Sequence, residues 1–498
     1  MHKHKVSLLL FLILFLLNTS SVIRAETSKK KADTVTVKIL PQRIHYSKMI
    51  LGFNTNLSNA PYRFNYPSVI NRFLESGARY VRFPGGNIAN LYDWRTGLEI
   101  GFRGMGEKFS RNVKWSEKRA KLYGNYYKLD YFLDFLSKTK TNFSIVLNIL
   151  SLTPKENAQM LKYIKSKGFN VRYVEIGNEI YNKPYRVLYP TAKSYIERAK
   201  SYAGAVKTIF PKAKIGLTIP PIVYRYSLTT ETDKLKKRKR EKISKAITWY
   251  KTMHNYSFYN AIIIHLYNVI RWNRKKTIKD FYTEAMAKSN EKLLDRTFMA
   301  LKSYFPNKEV WVTEWNSGLK YWLREEYENT YAKALYAADF IRKMLLQKQI
   351  TIAGLHNFPN LFYPRYLRET KYNMLPPNKP LKPTPKFYVF KLLKEAIITS
   401  SYVSPINISG EKYFYAKTEG KTIKLPELTG LYFSGKNSNY LLIINRWKHS
   451  YTLNYSRHTR ITKTLVSKSL TSRNASFKTQ KLEHNAIEIL PYSINLIK

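Results

Sequence analysis

The feature that most constrains the fold is an alternation of apolar, strand-like runs with helical stretches, repeated eight times between residues 46 and 398. Short runs of strand-forming residues alternate with longer stretches in which apolar residues recur at helical spacing. Eight such units predict a closed parallel (β/α)8 barrel, the TIM barrel, whose functional groups lie at the carboxyl ends of the strands. The predicted strands are Met49–Phe53, Tyr80–Phe83, Phe143–Ile149, Val171–Ile176, Ala213–Ile219, Ala261–Leu266, Val310–Thr313 and Ile352–Leu355.

The pattern changes after residue 398 to short strand-like runs separated by turn residues, the first of them Tyr413–Ala416. This change predicts a β-sandwich over residues 399–498. An isolated alternating run at Thr34–Leu40 has no neighbouring hairpin partner. We therefore expect residues 34–45 to add an N-terminal strand to that sandwich.

The first residues have the pattern of a secretory signal. Basic residues at His2–Lys5 precede an apolar core at Val6–Leu17 and a cleavage site at Ile23-Arg24-Ala25. The sequence thus predicts a signal peptide at residues 1–25, a disordered lead-in at residues 26–33, and a secreted or periplasmic protein without stable membrane insertion. Since the chain has no cysteine, disulfides, thiolate metal sites and a cysteine nucleophile are excluded. No metal or cofactor is predicted.

The charge balance is strongly basic, with 86 Lys and Arg against 33 Asp and Glu and a formal net charge of +53. Such a charge favours a polyanionic partner, which could be nucleic acid, anionic lipid or an acidic polysaccharide. Export favours the polysaccharide. A general lysine-rich composition without functional meaning is the alternative interpretation.

Two predicted strands end in a glutamate. One run reads R-Y-V-E-I-G-N-E and ends at Glu179, and another reads E-V-W-V-T-E-W-N and contains Glu314. They close the fourth and seventh strands, whose ends lie on opposite sides of the barrel mouth. Cleavage of a glycosidic bond needs such a pair of carboxyl groups, one as the acid and the other as the nucleophile or base. The motif G-N-E alone also occurs by chance.

In four motifs the sequence resembles retaining glycoside hydrolases of clan A. The resemblance rests on R-F-P-G-G-N at residues 82–87, E-I-G-N-E at residues 175–179, I-H-L-Y at residues 264–267 and T-E-W-N at residues 313–316. Family 51, the α-L-arabinofuranosidases, is the most similar, and it implies a barrel followed by a β-sandwich. The heparanase-like family 79 is a more distant resemblance.

The resemblance implies Glu179 as the acid/base and Glu314 as the nucleophile. The substrate-binding residues that it implies are Arg82, Asn87, Asn178, His265, Tyr267 and Trp315. Among these, Asn178 would bond the hydroxyl next to the anomeric carbon, Tyr267 would hold Glu314, and Arg82 would keep Glu314 ionised.

Asn87 and His265 would line the sugar pocket, and Trp315 would form a stacking wall beside it. Glu175, which shares strand parity with Glu179, is interpreted as a structural partner for a buried base.

The predicted loops at the barrel mouth are basic, which favours a sugar carrying carboxylate or sulfate groups. The segment from Pro221 to Arg240 is long for a connection and contains the run K-L-K-K-R-K-R, which could also be a solvated helix start. The cations concerned are Arg95, Arg103, Lys108, Arg111, Lys234, Lys236, Lys237, Arg238, Lys239, Arg240, Arg271, Arg274, Lys275, Lys276, Arg365 and Arg368, interleaved with Tyr224, Tyr226, Tyr267 and Tyr363.

The predicted function is a secreted retaining glycoside hydrolase that cleaves an acidic polysaccharide. The alternatives are an α-L-arabinofuranosidase acting on neutral glycans and a catalytically inactive glycan-binding protein. A nucleic-acid binder would explain the charge but neither the glutamate pair nor the signal peptide. The oligomeric state is left open.

Overall fold

The computed structural model describes residues 32–221, 233–271, 275–320, 325–371, 373–418, 421–454, 461–481 and 486–498. Eight parallel strands close into a barrel in chain order. These barrel strands are β1 (Gly52–Asn54), β2 (Tyr80–Phe83), β3 (Asn142–Leu147), β4 (Tyr173–Ile176), β5 (Lys214–Thr218), β6 (Ala261–Arg271), β7 (Glu309–Lys320) and β8 (Ile350–His356). The predicted (β/α)8 barrel is confirmed.

Helices connect the strands and cover the barrel. They are Pro67–Ser76, Glu107–Tyr123, Leu129–Thr139, Pro154–Ser166, Ala192–Ile209, Asp233–His254, Ile278–Lys288, Glu291–Tyr304, Glu325–Glu328, Tyr331–Leu345 and Pro385–Thr399. Several begin at side-chain caps; for example, Thr153 and Glu156 form a reciprocal capping box at the start of Pro154–Ser166. Within the described parts of the chain, no helix combines the length and apolar character needed to cross a membrane.

The C-terminal strands form a sheet that folds over into a sandwich and includes the N-terminal strand Asp33–Ile39. That strand pairs with Ser400–Ser409 and with Tyr451–Asn454, so the predicted N-terminal contribution is confirmed. The other strands of this sheet are Ile44–His45, Leu428–Gly435, Asn439–Asn445, Ile461–Val466, Ser476–Lys481, Ala486–Ile489 and Ile494–Ile497.

Helix Tyr331–Leu345 lies between the barrel and the sandwich, and all of its residues are buried. The Tyr331 hydroxyl donates to the Leu465 carbonyl oxygen at 2.6 Å, and Arg446 of the sandwich pairs with Asp339 of the helix at 3.2 Å. The two parts therefore pack as one unit.

One expectation for the sandwich is wrong. The run at Tyr413–Ala416 is predicted as a sandwich strand, but among the described strands Tyr413–Thr418 pairs with Lys421–Pro426 alone, in a separate two-stranded sheet. This hairpin packs its inner face against the barrel helix Ile278–Lys288 and the Trp447 indole. Short two-residue pairs also form between Tyr92–Asp93 and Leu98–Glu99, and between Phe362–Tyr363 and Lys382–Pro383.

The barrel strands differ from expectation mainly at β6 and β7. Both continue well beyond the predicted ends at Leu266 and Thr313, and they stay paired as far as Arg271 and Lys320. Strand β1 begins later than predicted, because Lys48–Ile50 form a short 3-10 turn.

The interior of the barrel is layered. An apolar layer near the amino ends of the strands contains Tyr80, Ile263, Trp311 and Ile352, all fully buried. On three of these strands a buried polar side chain follows two residues further along: Arg82 on β2, His265 on β6 and Thr313 on β7. This layer closes the floor of the barrel, so chemistry is confined to the carboxyl-end mouth.

Candidate active site

Arg82 lies at the centre of the polar layer and is fully buried. Its Nε donates to Glu175 Oε2 at 2.8 Å, its Nη1 to Glu314 Oε1 at 2.7 Å, and its Nη2 to Asn178 Oδ1 at 2.9 Å. One guanidinium thus joins strands β2, β4 and β7. A lysine could not reach three acceptors in this planar arrangement.

Glu175 occupies the deeper position that parity predicts. Besides Arg82, its carboxylate accepts hydrogen bonds from the hydroxyls of Ser144 at 2.8 Å and Thr313 at 3.4 Å. Glu175 has no solvent exposure, and its negative charge balances the positive charge of the buried Arg82 guanidinium from the side nearer the barrel floor. The interpretation of Glu175 as a structural partner agrees with these contacts.

A β-bulge brings Glu314 into the mouth. The pairing of β6 with β7 shifts register between Ile263 and His265, so that His265 lies opposite Glu314. Thr313 and Glu314 therefore both contact interior groups, although neighbouring strand residues normally face opposite sides. The Tyr267 hydroxyl donates to Glu314 Oε2 at 2.5 Å.

The surroundings of Glu314 favour its ionised form. Burial alone would raise the pKa of this carboxyl, but His265, His356, the Arg82 guanidinium and the Tyr267 hydroxyl together hold the pKa well below its usual range. Burial also lowers the pKa of His356, so at neutral pH the permanent positive charge beside Glu314 is that of Arg82. Glu314 is thus a carboxylate throughout the physiological range.

Glu179 is delivered by a tight turn after β4. Gly177 and Glu179 both have positive φ, 77° and 48°, and a Cβ on Gly177 would lie 2.7 Å from the Ile180 side chain. Glycine is therefore required at position 177, and Glu179 adopts a left-handed conformation that is uncommon outside glycine. Such conformations persist where the surrounding structure enforces them, often at functional sites.

The Glu179 carboxylate is partly open to solvent, with 17% of its side chain exposed. Tyr181 and Asn182 donate to its two oxygens at 3.2 and 2.6 Å. The His265 Nδ1 atom lies 3.0 Å from Glu179 Oε1 and 3.7 Å from Glu314 Oε2. Together these two distances limit the separation of the two carboxylate oxygens to at most about 6.7 Å.

The backbone of Asn178 is held by Asn90, a residue that the sequence analysis did not single out. The Asn90 side-chain amide accepts from the Asn178 N–H at 2.8 Å and donates to its carbonyl oxygen at 2.6 Å. The Asn178 side-chain amide also lies 3.4 Å from Oδ1 of Asn87, which is exposed at the mouth. Asn90 therefore fixes the turn that presents both Asn178 and Glu179.

The expectation for Trp315 is wrong. Its indole is fully buried and stacks on Phe340 of helix Tyr331–Leu345, with ring centroids 5.2 Å apart. Because Trp315 follows Glu314 directly, strand alternation turns it away from the barrel axis and into the helix layer. It cannot form a wall of the sugar pocket. Arg82 and Tyr267 contact Glu314, and His265 contacts Glu179. The Asn178 side chain accepts from Arg82, and Asn87 lies next to Asn178.

A second imidazole, missed from the sequence, completes the wall at β8. His356 Nδ1 lies 3.5 Å from Glu314 Oε2 and 2.7 Å from the Asn54 side-chain amide. The backbone oxygen of His356 accepts from Asn316 at 2.5 Å. A histidine at the end of a predicted barrel strand was the available signal.

Asn316 is in turn fixed by a buried lysine. Lys333 Nζ donates to Asn316 Oδ1 at 2.8 Å and pairs with Glu328 at 3.3 Å. A lysine within the otherwise apolar stretch Y-A-K-A-L-Y of a helix is the sequence signal for such a buried contact. This chain of contacts connects the helix layer to the strand end that carries Glu314.

In the structure, some cations of the predicted basic loops pair with carboxylates and others are exposed. Arg95 pairs with Asp93 and Glu156, Lys276 with Glu284, and Arg365 is buried against Glu369. These cations are held by carboxylates of the chain. Exposed cations at the mouth include Arg103 and Arg368, together with two residues of the loop after β4 that the sequence analysis missed, Lys183 and Arg186.

The structure does not describe the side chains of several other residues in the predicted basic loops. Tyr224, Tyr226 and Arg274 lie outside the described residues, and the side chains of residues 233–240, Lys108 and Arg271 are likewise not among the described ones. The backbone of the run Lys234–Arg240 belongs to the first turns of helix Asp233–His254. The run therefore begins a helix.

The fold is that of known glycoside hydrolases with a barrel and a β-sandwich. A family 51 arabinofuranosidase from Xanthomonas axonopodis pv. citri superposes with a TM-score of 0.68 and 14% identity over 93% of this chain and 99% of that one. A family 51 α-L-arabinofuranosidase from Bifidobacterium longum gives 0.66 and 15% over 94% and 99%.

A family 44 endoglucanase from Clostridium thermocellum gives a TM-score of 0.58 and 12% identity over 94% of this chain and 99% of that one. No family model and no curated protein sequence matches the chain. The structural neighbours thus agree with the family 51 resemblance at the level of the fold, and they give no support to the family 79 resemblance.

Proposed function

We propose that the protein is a retaining glycoside hydrolase in which Glu314 is the nucleophile and Glu179 the acid/base. The observation that carries the proposal is that the two glutamates meet at one mouth in contrasting environments. Retaining enzymes place their carboxyl groups about 5 to 5.5 Å apart, whereas inverting enzymes need about 6.5 to 9.5 Å to admit a water. The distance between Glu179 Oε1 and Glu314 Oε2, at most about 6.7 Å, agrees with the retaining separation and excludes most of the inverting range for this pair of oxygens.

The chemistry follows from the contacts. Glu314, ionised beside Arg82, attacks the anomeric carbon while Glu179 protonates the departing oxygen, and a glycosyl ester on Glu314 forms. Glu179 then removes a proton from water, whose oxygen displaces Glu314 and restores the enzyme. Asn178, held by Arg82 and Asn90, bonds the hydroxyl next to the anomeric carbon.

The stereochemistry tests this proposal. Proton NMR of the first-formed product should show the anomeric configuration of the substrate retained. An inverted product would remove Glu314 as nucleophile. Absence of turnover on any glycan by the intact protein would favour the alternative of an inactive glycan-binding protein.

We further propose that the substrate is an anionic polysaccharide. Arg103, Lys183 and Arg186 are exposed on two neighbouring mouth loops. These loops touch, because a Cβ on Gly104 would lie 2.7 Å from Val187. Exposed cations on both loops would concentrate positive potential at one side of the mouth.

Replacing these three cations together by serine tests the substrate class. The control replaces Lys162, Lys251 and Lys302, exposed lysines on barrel helices, so that both variants lose the same charge. The mouth variant should lose kcat/KM on an anionic glycan at low salt and lose part of its salt dependence, while the control should not. A preference of the intact protein for neutral arabinan would instead support arabinofuranosidase activity.

The N-terminal segment supports a proposal of export. Expression of the full chain in a secreting host, followed by mass determination of the exported protein, should show cleavage after Ala25. Retention of the uncleaved chain inside the cell would contradict it.

A further inference from the structure

The hairpin beside the sandwich has one covered and one open face. Phe414 and Ala416 point inward and are buried. Tyr413 and Tyr415 point outward and are 46% and 64% exposed. Large aromatic side chains grouped in this way on a surface commonly mark an interaction site.

The open face combines aromatic rings with positive charge. We call it the hairpin face and define it by Tyr413, Tyr415, Lys417, Thr422 and Lys424, all exposed. Tyr415 lies directly opposite Lys424, and the Lys424 ammonium lies 4.1 Å from the centroid of the Tyr413 ring. Residues two apart on a strand are about 7 Å apart, so the rings and ammonium groups interleave on a flat surface. None of the five described residues that define this face is acidic.

Aromatic and cation–π contacts hold the hairpin against the rest of the protein. Phe414, between the two tyrosines, stacks on Trp447 with ring centroids 4.5 Å apart and planes inclined by 9°. The Lys279 ammonium lies 4.6 Å from the Trp447 ring, on the side of helix Ile278–Lys288. These contacts anchor the strand that carries Tyr413 and Tyr415 to the rest of the protein.

The mounting also places the hairpin face relative to the mouth. Lys279 belongs to the first turn of its helix. In a parallel barrel each helix begins at the end where the preceding strand finishes, which is the end that carries Glu179 and Glu314. The hairpin is thus attached at the mouth end of the barrel.

The chemical groups of the hairpin face indicate which kind of ligand it binds. An aromatic ring offers an apolar face on which the C–H side of a sugar can pack, and the ammonium groups complement carboxylate or sulfate substituents. Both features fit one ligand, an acidic polysaccharide long enough to extend beyond the barrel mouth.

We propose that the hairpin face is a second binding site for an anionic polysaccharide, separate from the catalytic mouth. The ligand class rests on the proposed function. Its role is to hold one part of a long chain while another part occupies the mouth.

The test measures binding without hydrolysis. In a Glu314→Gln background, affinity electrophoresis through gels containing polygalacturonate, dextran sulfate or neutral dextran compares Tyr413→Ala/Tyr415→Ala with the parent. The control is Tyr402→Ala, which removes a tyrosine that is 36% exposed on the sandwich beneath Arg43. All these proteins carry the same charge, so general attraction of a basic protein to a polyanion cancels in the comparison.

Loss of two rings that pack on sugars should weaken binding to the anionic gels about fivefold or more, and the Tyr402→Ala control should bind as the parent does. A second pair separates the charges: Lys417→Ser/Lys424→Ser should reduce the salt dependence of binding more than Lys38→Ser/Lys436→Ser. Circular dichroism of each variant shows whether it is folded.

Three results would overturn the proposal. The tyrosine variant could bind both anionic gels as tightly as the parent, the parent could bind neither gel, or size-exclusion chromatography could show that the tyrosines instead join two copies of the chain. Since binding is measured without turnover, failure of the proposed hydrolysis with a retained tyrosine effect would leave this site standing. Hydrolysis without a tyrosine effect would do the reverse.

Discussion

The ends of β4 and β7 each deliver a glutamate to the same mouth, but they surround it differently. Glu314 is buried, bonded to Arg82 and Tyr267, and kept ionised by its positive neighbours. Glu179 is partly exposed on a left-handed turn, where Tyr181, Asn182 and His265 contact it. The two glutamates have the same side chain, but the segments that carry them give each one different surroundings and therefore different chemistry.

The contrast predicts unequal effects of removing each carboxylate. Glu314→Gln should reduce kcat by about 10⁴-fold or more for every substrate, because no group can replace an attacking nucleophile. Steady-state kinetics on a natural glycan and on an aryl glycoside measure this. Thermal unfolding of the variant serves as the control for folding, and substantial turnover by a folded Glu314→Gln protein would contradict the assignment.

Glu179→Gln should be selective instead. General acid catalysis contributes about 10²–10⁴-fold, and it matters least when the leaving group departs without a proton. We expect a large loss of kcat/KM on the natural glycan and a small effect on the bond-cleaving step with a dinitrophenyl glycoside. Equal losses on both substrates would mean that Glu179 has another role.

Replacing Arg82 tests how much its positive charge stabilises the buried carboxylates around Glu314. Arg82→Met leaves Glu175 and Glu314 buried without their cation, which should cost about 3–5 kcal/mol of stability, whereas the exposed pair of Arg95 contributes about 1 kcal/mol or less and makes Arg95→Met a matched control. Urea denaturation of both variants provides the comparison, and equal losses of stability would contradict it. Arg82→Lys restores the charge but not the three contacts.

The pH dependence follows the same reasoning. The pKa of Glu314 is lower in the folded protein than its ordinary value of 4.5, so its ionisation contributes stability above about pH 4.5 that is lost as the pH falls. In Arg82→Met the pKa of Glu314 should rise. The acidic limb of kcat/KM should therefore move to higher pH in Arg82→Met and stay in place in Arg95→Met.

The smallest expected difference concerns two hydroxyls. Tyr267 donates to the buried Glu314 at 2.5 Å, and Tyr181 donates to the partly exposed Glu179 at 3.2 Å. Hydrogen bonds to charged groups contribute about 1.5–3 kcal/mol, so Tyr267→Phe should lower kcat/KM by about tenfold or more. Tyr181→Phe should have a clearly smaller effect. The reverse order would show that burial does not decide the strength of these contacts.

Much of this arrangement is visible in the sequence because it follows from local periodicity. The alternation of strands and helices predicts the barrel, the strand-end runs predict Glu179 and Glu314 at its mouth, and the family resemblance adds Arg82 and His265. The barrel strands carry these residues to the mouth, but a β-bulge orients Glu314 and a left-handed turn orients Glu179.

The remainder depends on packing between distant segments. Asn90 holds Asn178 across 88 residues of sequence, and no local pattern reveals that contact. Tyr413–Ala416 has the alternation of a sandwich strand, yet its inner face packs on a barrel helix. The Trp315 error came from extending the motif by analogy, although strand alternation already places Trp315 opposite to Glu314.

The most direct test of the two-glutamate mechanism is to trap its covalent intermediate. In Glu179→Ala, an aryl glycoside with a good leaving group should still react, but hydrolysis of the resulting ester should be slow because no base activates water. Intact-protein mass spectrometry should then show the addition of one sugar, and peptide mapping should place it on Glu314. A sugar on another residue, or full turnover with inversion and no adduct, would contradict the mechanism.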